Sequence, residues 1–184
     1  NKDGLTGLMN RRHFMQSAEV ELQRAQRYRR PVTMAMADLD LFKRLNDTYG
    51  HAAGDAVLRA FAELVQDTLR QSDLVCRYGG EEFAFLFPEI GPAETEKLAE
   101  RRRERCAAMQ VPLPDGRSIM ATVSIGLAQA SECTIETSSI SDVSSGGRIE
   151  GRREASIDLP EPGGPIISRL WPPSASFSPC WRAS

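Results

Sequence analysis

The residues best suited to chemistry are two groups of acidic side chains at the borders of apolar stretches. Asp38 and Asp40 lie near the end of the stretch VTMAMADLDLF, and Glu81 and Glu82 follow the glycine pair in RYGGEEF. A carboxylate at a strand end and another from a hairpin turn provide the few hard oxygen ligands of a Mg²⁺ ion whose octahedron is completed by phosphates and water. We therefore predict a metal site for a nucleoside triphosphate, with Asp38 and Glu81 as ligands. For any single carboxylate, the alternative is an acid that simply faces water.

The segment FKRLNDTYGHAAGD, residues 42–55, adds a dense supply of donors and acceptors directly after the first acidic group. Its backbone N–H groups could cradle phosphates, as in other anion-binding nests. Asn46 and Asp55 offer an amide and a carboxylate for the edge of a nucleobase. Guanine has two adjacent donors that a carboxylate can accept from and adenine lacks that pair, so these residues favour a guanine nucleotide.

The elements that must position these residues alternate between helical and strand patterns. Helical spacing of apolar residues predicts helices over residues 14–30 and 55–69, and Pro92 opens a third helix as a first-turn proline. Strand patterns predict strands in the first half of residues 32–42, in residues 74–78 and 82–87 around Gly79 and Gly80, and in residues 118–128.

This order, αβαββαβ, predicts an α/β protein of the α+β type with a ferredoxin-like or palm-type βαββαβ core. Its central sheet should be mainly antiparallel and flanked by helices. We predict one domain over residues 1–130. Residues 131–184 form a Ser/Pro/Gly-rich tail, in which 22 of the 48 residues from Thr137 to Ser184 are of those three types. Such a composition predicts disorder, or a frameshifted end of the gene, because it buries little apolar surface.

Composition excludes several classes of protein. The chain has 184 residues and a net charge of −2, so it lacks the basic excess of a protein that binds bulk DNA. No apolar run approaches the roughly 20 residues that span a bilayer. The four cysteines form no CxxC pair, which favours reduced thiols in the cytoplasm. Because the chain opens inside an apparent motif without an initiator methionine, we expect a cytoplasmic fragment of a longer protein, or the cytoplasmic part of a membrane-anchored sensor.

Three long stretches, DGLTGLMNRR, DLDLFKRLNDTYGHAAGD and RYGGEEF, carry a resemblance to a known family. In order and spacing they resemble the diguanylate cyclase family, whose name GGDEF comes from the last motif and whose third position is Asp or Glu. The resemblance covers residues 1–128. It implies the GGDEF nucleotidyl cyclase fold and a two-metal reaction that joins two GTP molecules into cyclic di-GMP with release of pyrophosphate.

The resemblance also implies a role for each acidic residue. Asp38 and Glu81 would hold two Mg²⁺ ions, or Mn²⁺ in their place, and the carbonyl of Leu39 would assist. Glu82 would activate the ribose 3′-hydroxyl or bind the second metal.

Further residues would hold the triphosphate. Phe42 and Lys43 would present main-chain N–H groups, and Lys43 its charge. Gly79 and Gly80 would let the backbone approach the α-phosphate, because a side chain there would collide with it. Arg77 would support the phosphates or the geometry of the motif.

The resemblance extends to base recognition, assembly and regulation. Asn46 and Asp55 would bind guanine. Each domain would hold one GTP, so two domains must face each other in a homodimer. Arg70 and Asp73, in an RxxD pattern, would form the product-binding inhibitory site. The run Arg101, Arg102 and Arg103 could add a second contact across the dimer, although such a run on a helix is more often a solvated face.

The resemblance ends after Ala130. The family closes its domain with a further helix, whose lysine and a following arginine clamp the terminal phosphates, and no stretch after Ala130 matches it. The nearest cations are Arg148, Arg152 and Arg153. Two alternatives to the cyclase therefore stay open: a catalytically weak domain that binds cyclic di-GMP or GTP, and a palm-like domain with structural acids. An upstream sensory domain would normally drive the enzyme.

Overall fold

A computed structural model of the chain describes residues 1–130. The predicted tail, with Arg148, Arg152 and Arg153, lies outside the described residues. Within them the elements run in the order β1 (Met9–Asn10), α1 (Arg11–Tyr28), β2 (Val32–Leu39), α2 (Phe42–Tyr49), α3 (His51–Gln66), β3 (Leu74–Arg77), β4 (Glu82–Pro88), α4 (Pro92–Ala108), β5 (Val111–Pro112), β6 (Ser118–Ile119) and β7 (Val123–Ala130). In this part of the chain, no helix combines the length and apolar character needed to cross a membrane.

Five strands form the central sheet in the order β1-β3-β4-β2-β7. Strand β2 lies between β4 and β7 and is antiparallel to both, and β3 is antiparallel to β4. Among the described strands, only the short edge pair of β1 with β3 is parallel. The four longer strands follow the order expected for split βαβ units, so the predicted mainly antiparallel sheet flanked by helices is confirmed.

The two faces of the sheet are covered by different helices. On one face, α1 buries Phe14, Ala18 and Leu22, which are four residues apart and therefore share one side of the helix. On the other face, α3 and α4 enclose a larger core built around the phenylalanines of β4. Phe61 of α3 meets Phe83 of β4 edge to face, with ring centres 4.8 Å apart. Burial on both faces holds the central strands rigidly.

Capping residues fix the ends of α1. Asn10 precedes the helix, and its side-chain oxygen accepts a hydrogen bond of 2.9 Å from the N–H of His13. The helix ends where Arg29 adopts a left-handed conformation, with φ of 51°, and Pro31 follows soon after. The helix therefore starts three residues before the predicted residue 14.

Two sequence predictions differ from the structure. Residues 42–55, predicted only as a binding segment, contain α2 and the first turn of α3, divided at Gly50, whose φ is 83°. The single strand predicted over residues 118–128 is wrong, because β6 pairs with β5 in a separate two-stranded sheet and the main sheet resumes only at Val123. Between them, the main-chain carbonyl of Thr122 accepts a hydrogen bond of 2.9 Å from the N–H of Asp40.

The contact between α3 and β4 gives a test of the core. Phe61→Ala is expected to lower the free energy of unfolding by about 3–5 kcal/mol, because it removes a fully buried ring and leaves a cavity in the core. Val20→Ala is the matched control, since Val20 is 61% exposed on α1 and should change stability by no more than about 0.5 kcal/mol. Denaturant unfolding measures both, and similar unfolding midpoints for the two variants would contradict this account of the core.

Candidate functional site

The pairing of β2 with β4 brings the acidic groups together. Asp38, near the end of β2, lies opposite Glu82, the first residue of β4. The N–H of Leu39 donates a hydrogen bond of 3.3 Å to the carbonyl of Glu81, which joins the strand end to the turn before β4. Asp38, Glu81 and Glu82 are each half-buried. Three carboxylates from two distant segments therefore converge at one edge of the sheet.

This convergence changes the acidity of two groups. Burial, together with the charges of Glu81, Glu82 and Asp40, raises the pKa of Asp38 to about 6. Burial and the charge of Glu82 also raise the pKa of Glu81. Like charges held together against their mutual repulsion favour the neutral form of each acid unless a cation is close. The site is thus electrostatically prepared for a cation.

The donor set fits a magnesium ion that is shared with a ligand. In the described part of the chain, no group of three His, Cys, Asp or Glu side chains is arranged to hold a metal ion by itself. Two carboxylates and one main-chain carbonyl are a small set of hard oxygen donors, and Mg²⁺ commonly takes few protein ligands and completes its shell with phosphate and water. Asp38, Glu81 and the carbonyl of Leu39 would serve as these donors.

Asp40, the fourth acid, has a different environment. Its two carboxylate oxygens accept hydrogen bonds from the hydroxyls of Thr122, at 2.7 Å, and Ser124, at 2.6 Å. With the main-chain bond from Asp40 to Thr122, these contacts fasten the residues after β2 to β7. Asp40 therefore anchors the loop that leads to α2, a role that the sequence analysis did not assign.

The start of α2 presents main-chain donors next to the carboxylates. Leu41 stands before the helix with φ of 55°, a left-handed conformation that is unfavourable for a residue with a side chain. The first N–H groups of a helix have no partner within it. Phe42 and Lys43 open α2, and the side chain of Lys43 is exposed. Phe42 and Lys43, the residues predicted to contact phosphate, are thus the first residues of a helix that follows the acidic end of β2.

Arg77 supports the geometry of the Gly-Gly turn. Its Nε and Nη2 donate hydrogen bonds of 3.0 and 2.8 Å to the carbonyl of Gly80, and its Nη1 lies 3.5 Å from a carboxylate oxygen of Asp3. Asp3 also accepts from the N–H and the hydroxyl of Thr6, at 2.9 and 2.7 Å. The opening motif DGLTGL therefore braces the turn. No role was predicted for Asp3, although it lies in the stretch DGLTGLMNRR that carries the family resemblance.

The two glycines of the turn have different surroundings. A Cβ added at Gly79 would come within 2.5 Å of Oε2 of Glu82, whereas a Cβ at Gly80 would meet nothing within 4 Å. Within this chain, Gly79 thus leaves room for a carboxylate, and Gly80 leaves open space beside it. That the open space receives a phosphate stays a prediction.

The residues predicted to bind guanine lie where α2 packs against α3. Oδ1 of Asn46 is buried and has no hydrogen-bond partner among the described residues. A Cβ on Gly54 would lie 1.9 Å from this oxygen and 3.1 Å from the ring of Phe42. Gly54 therefore makes room for the Asn46 amide, and the half-buried Asp55 follows it directly in α3. A buried, unpaired acceptor is expected to have a ligand or water as its partner.

Arg70 and Asp73 form a separate turn at the other end of β3. Oδ2 of Asp73 accepts a hydrogen bond of 3.0 Å from the N–H of Arg70, and the N–H of Asp73 donates one of 3.0 Å to the carbonyl of Arg70. Asp73 is buried and Arg70 is exposed. Asp73 precedes β3 and Gly79 follows it, so the predicted inhibitory site and the acidic site lie at opposite ends of one strand.

The arginine run of α4 does not form one surface. Arg101 is exposed, and Arg103 is exposed and pairs with Glu100 at 2.6 Å. Arg102 is only 3% exposed. For Arg102, both the predicted solvated face and the predicted contact across a dimer are wrong, because the helix turns this side chain into the core.

Comparisons with known proteins agree on one family. The profile of the family described as "Diguanylate cyclase, GGDEF domain" matches residues 1–143. The response regulator PleD of Caulobacter vibrioides is 40% identical over 126 residues, which cover 68% of this chain and 28% of PleD. The diguanylate cyclase DosC of Escherichia coli is 39% identical over 126 residues, which cover 68% of this chain and 27% of DosC. The aligned part of the chain thus spans little more than a quarter of these relatives.

A solved structure gives the same result. The crystal structure of the GGDEF domain of DgcB from Caulobacter crescentus in complex with c-di-GMP superposes with a TM-score of 0.69 and 31% identity. The match covers 71% of this chain and 78% of that one.

The raised pKa of Asp38 predicts a pH-dependent stability. The folded protein holds the Asp38 proton more tightly than the unfolded chain does, so wild type should lose stability as the pH rises from about 4 to about 6. Asp38→Asn removes this loss. In metal-free buffer, the free energy of unfolding of the variant minus that of wild type should therefore rise across this window, by about 1 kcal/mol after screening by solvent.

Thermal or denaturant unfolding at a series of pH values measures this difference. Asp47→Asn, which alters an exposed carboxylate on α2, is the control. A difference between Asp38→Asn and wild type that stays constant from pH 4 to pH 7 would contradict the electrostatic account of the acidic site.

Proposed function

Because the chain belongs to the diguanylate cyclase family with a GGDEF domain, we propose that it condenses two GTP molecules into cyclic di-GMP and releases pyrophosphate. The observation that carries the proposal is the strand register that places Asp38 opposite Glu82, with Glu81 in the adjoining turn. This acidic edge lies next to the start of α2. The side-chain oxygen of Asn46, which has no partner among the described residues, lies between α2 and α3. The residues proposed for the metal, the phosphates and the base thus lie along residues 38–55, to which the pairing of β2 with β4 adds Glu81 and Glu82.

Asp38, Glu81 and the carbonyl of Leu39 would hold Mg²⁺, or Mn²⁺ in its place. When bound, the metal ions would lower the pKa of the attacking ribose 3′-hydroxyl and offset the charge of the triphosphate. Glu82 lies beside Glu81, where it can accept the proton of the hydroxyl or bind the second ion. In the reaction, the 3′-oxygen bonds to the α-phosphorus of the other GTP as the bond from that phosphorus to pyrophosphate breaks.

The remaining residues orient the substrate. The N–H groups of Phe42 and Lys43 and the charge of Lys43 bind phosphate oxygens, in keeping with the preference of helix N-termini for anions. Gly79 and Gly80 admit the α-phosphate, and Arg77 keeps their turn in shape. Asn46 and Asp55 bind the guanine edge, and the missing partner of the Asn46 oxygen is then a donor on the base.

Assembly and regulation complete the proposal. One domain binds one GTP, so two copies must face each other to form both phosphodiester bonds, and a homodimer is the active form. Cyclic di-GMP binds at Arg70 and Asp73 and inhibits the enzyme. An upstream sensory domain in a longer cytoplasmic or membrane-anchored protein would control the encounter of the two copies.

A second candidate is a domain that binds cyclic di-GMP or GTP with little turnover. The family profile ends at residue 143, and the sequence after Ala130 does not resemble the family's closing helix. This favours the binding domain, because that helix supplies two cations to the terminal phosphates in the family that the chain resembles. Without them, GTP would be held chiefly by Lys43 and main-chain donors. Measured turnover distinguishes the two candidates.

The decisive assay incubates the purified chain with GTP and Mg²⁺ and measures cyclic di-GMP by chromatography. Glu81→Gln, which keeps the shape of the side chain and removes its charge, is expected to lower turnover about 100-fold or more, the range typical of losing a group that stabilises transition-state charge. Glu63→Gln, an exposed position on α3, is the control.

Each outcome of this assay has a clear meaning. Equal turnover by Glu81→Gln and wild type would reject the site assignment. Nucleotide binding by a wild-type chain that forms no cyclic di-GMP would replace the cyclase with the binding domain.

Gly54→Ala tests the base site. The added methyl group would overlap Oδ1 of Asn46, so the amide must turn away, and the Kd for GTP should rise about 10-fold, the value of one lost buried hydrogen bond. Gly91→Ala is the matched control because nothing lies within 4 Å of its added Cβ. Calorimetric titration with GTP measures both variants, and unchanged affinity in Gly54→Ala would remove Asn46 from the base site.

A further inference from the structure

Arg102 is the buried member of an arginine run, and its position calls for an explanation beyond packing. It lies on the face of α4 that also buries Thr95 and Cys106. Placing a guanidinium in a core carries a large desolvation cost, and an apolar side chain of similar size often fits such a position equally well or better. A charge retained there is therefore expected to act on a neighbour.

The nearest polar neighbour of Arg102 is the segment that follows α3. Its Nε donates a hydrogen bond of 3.2 Å to the hydroxyl of Thr68, and its Nη2 donates one of 3.3 Å to the Thr68 carbonyl. The Thr68 hydroxyl in turn donates to the carbonyl of Val65 at 2.9 Å. Arg102 thus joins α4 to the end of α3 and to the residues that lead into the Arg70–Asp73 turn.

Aromatic rings of β4 complete the surroundings of the guanidinium. Its central carbon lies 5.8 Å from the ring centre of Phe85 and 5.2 Å from that of Phe87. The two rings are nearly parallel, with centres 5.9 Å apart. Cation–π attraction to these faces offsets part of the cost of burial. Contacts on two sides therefore fix the orientation of the guanidinium.

Arg102 has one donor nitrogen, and Asp73 one acceptor oxygen, that their other contacts do not use. Nη1 of Arg102 and Oδ1 of Asp73 are both buried and lack hydrogen-bond partners among the described residues. Burial lowers the pKa of Arg102, and the charge of Asp73 opposes this shift, so the two charges interact without direct contact. The other oxygen of Asp73 accepts from the N–H of Arg70. Within the described part of the chain, Asp73 thus has one buried oxygen without a partner, and Arg102, whose orientation is fixed, has one buried nitrogen without a partner.

We propose that Arg102 is a positioning residue for the binding of cyclic di-GMP at Arg70 and Asp73. Through Thr68 it holds residues 67–73 against α4 and so orients the Asp73 carboxylate, without touching the ligand. This inference rests on the product site of the proposed function and adds a residue that the RxxD pattern does not contain. The acidic site at the other end of β3 does not depend on Arg102 in this account.

Two sites on one molecule allow a test with an internal control. Calorimetric titrations with cyclic di-GMP and with GTP are carried out on wild type, Arg102→Met, Arg102→Lys and Thr68→Val. Arg102→Met keeps an unbranched apolar side chain in place of the aliphatic part of arginine and removes the charged guanidinium. It is expected to raise the Kd for cyclic di-GMP about 10-fold or more while changing the Kd for GTP less than about twofold. Arg102→Lys should recover part of the loss, since it restores the charge without the planar fork.

Two further variants separate positioning from general stability. Thr68→Val removes the hydroxyl that Arg102 contacts and keeps the shape of the residue, so it should weaken cyclic di-GMP binding less than Arg102→Met and leave GTP binding unchanged. If Arg102→Met does not fold, Thr68→Val still tests the contact between Thr68 and Arg102. Arg24→Met, at an exposed position on α1, should leave both affinities unchanged.

Arg70→Ala distinguishes the failure of this inference from the failure of the proposed product site. If Arg70→Ala loses cyclic di-GMP binding and neither Arg102→Met nor Thr68→Val weakens it, the inference is overturned and the product site stands. If Arg70→Ala binds cyclic di-GMP as wild type does, or if wild type does not bind cyclic di-GMP, both the inference and the product site are overturned. Equal losses for cyclic di-GMP and GTP in Arg102→Met would assign Arg102 a purely structural role and would also overturn the inference.

Discussion

The antiparallel pairing of β2 with β4 is the constraint on which the acidic site depends. Its register places Asp38 opposite Glu82 and sets Glu81 in the adjoining turn. These carboxylates repel one another: besides burial, the charges of Glu81 and Glu82 raise the pKa of Asp38, and the charge of Glu82 raises the pKa of Glu81. The strands cannot yield to that repulsion, because buried aromatic and aliphatic side chains hold them on both faces. The apolar core thus keeps together a group of charges that favours a cation.

Polar contacts then refine what the pairing brings together. Asp40 is fastened to the hydroxyls of Thr122 and Ser124, which fixes the path of the chain from β2 into α2. Arg77 links the Gly80 carbonyl to Asp3 and so closes the turn before β4. Neither contact adds a metal ligand. Both restrict the backbone on either side of the ligands, which is what a preorganised site requires.

Strand β3 connects two regions with different tasks. One end leads into the Gly-Gly turn, and the other follows the Arg70–Asp73 turn. Beside the second turn, Arg102 lies between Thr68 and the rings of Phe85 and Phe87 in β4. Strand β4, which begins with Glu82, therefore also contacts Arg102 through the rings of Phe85 and Phe87. The acidic site and the Arg70–Asp73 turn are thus separated by the length of β3.

Local pattern in the sequence predicted the long elements, the sheet type and the family, because apolar periodicity and short motifs depend on neighbours along the chain. The roles of the acidic, phosphate and base residues stay predictions. Local pattern did not reveal α2, because the helix has only eight residues and no side-chain cap at Leu41, so the sequence carries neither a long periodic run nor a capping signal. Nor did it reveal the break between β6 and β7, since pairing with β5 and contact with Asp40 decide where each strand ends. The partners Asp3 and Arg77, or Arg102 and Thr68, are far apart in sequence, and only the tertiary fold brings them together. Tertiary packing also decided that Arg102 is buried while Arg101 and Arg103 face solvent, because a helix sends successive side chains in different directions.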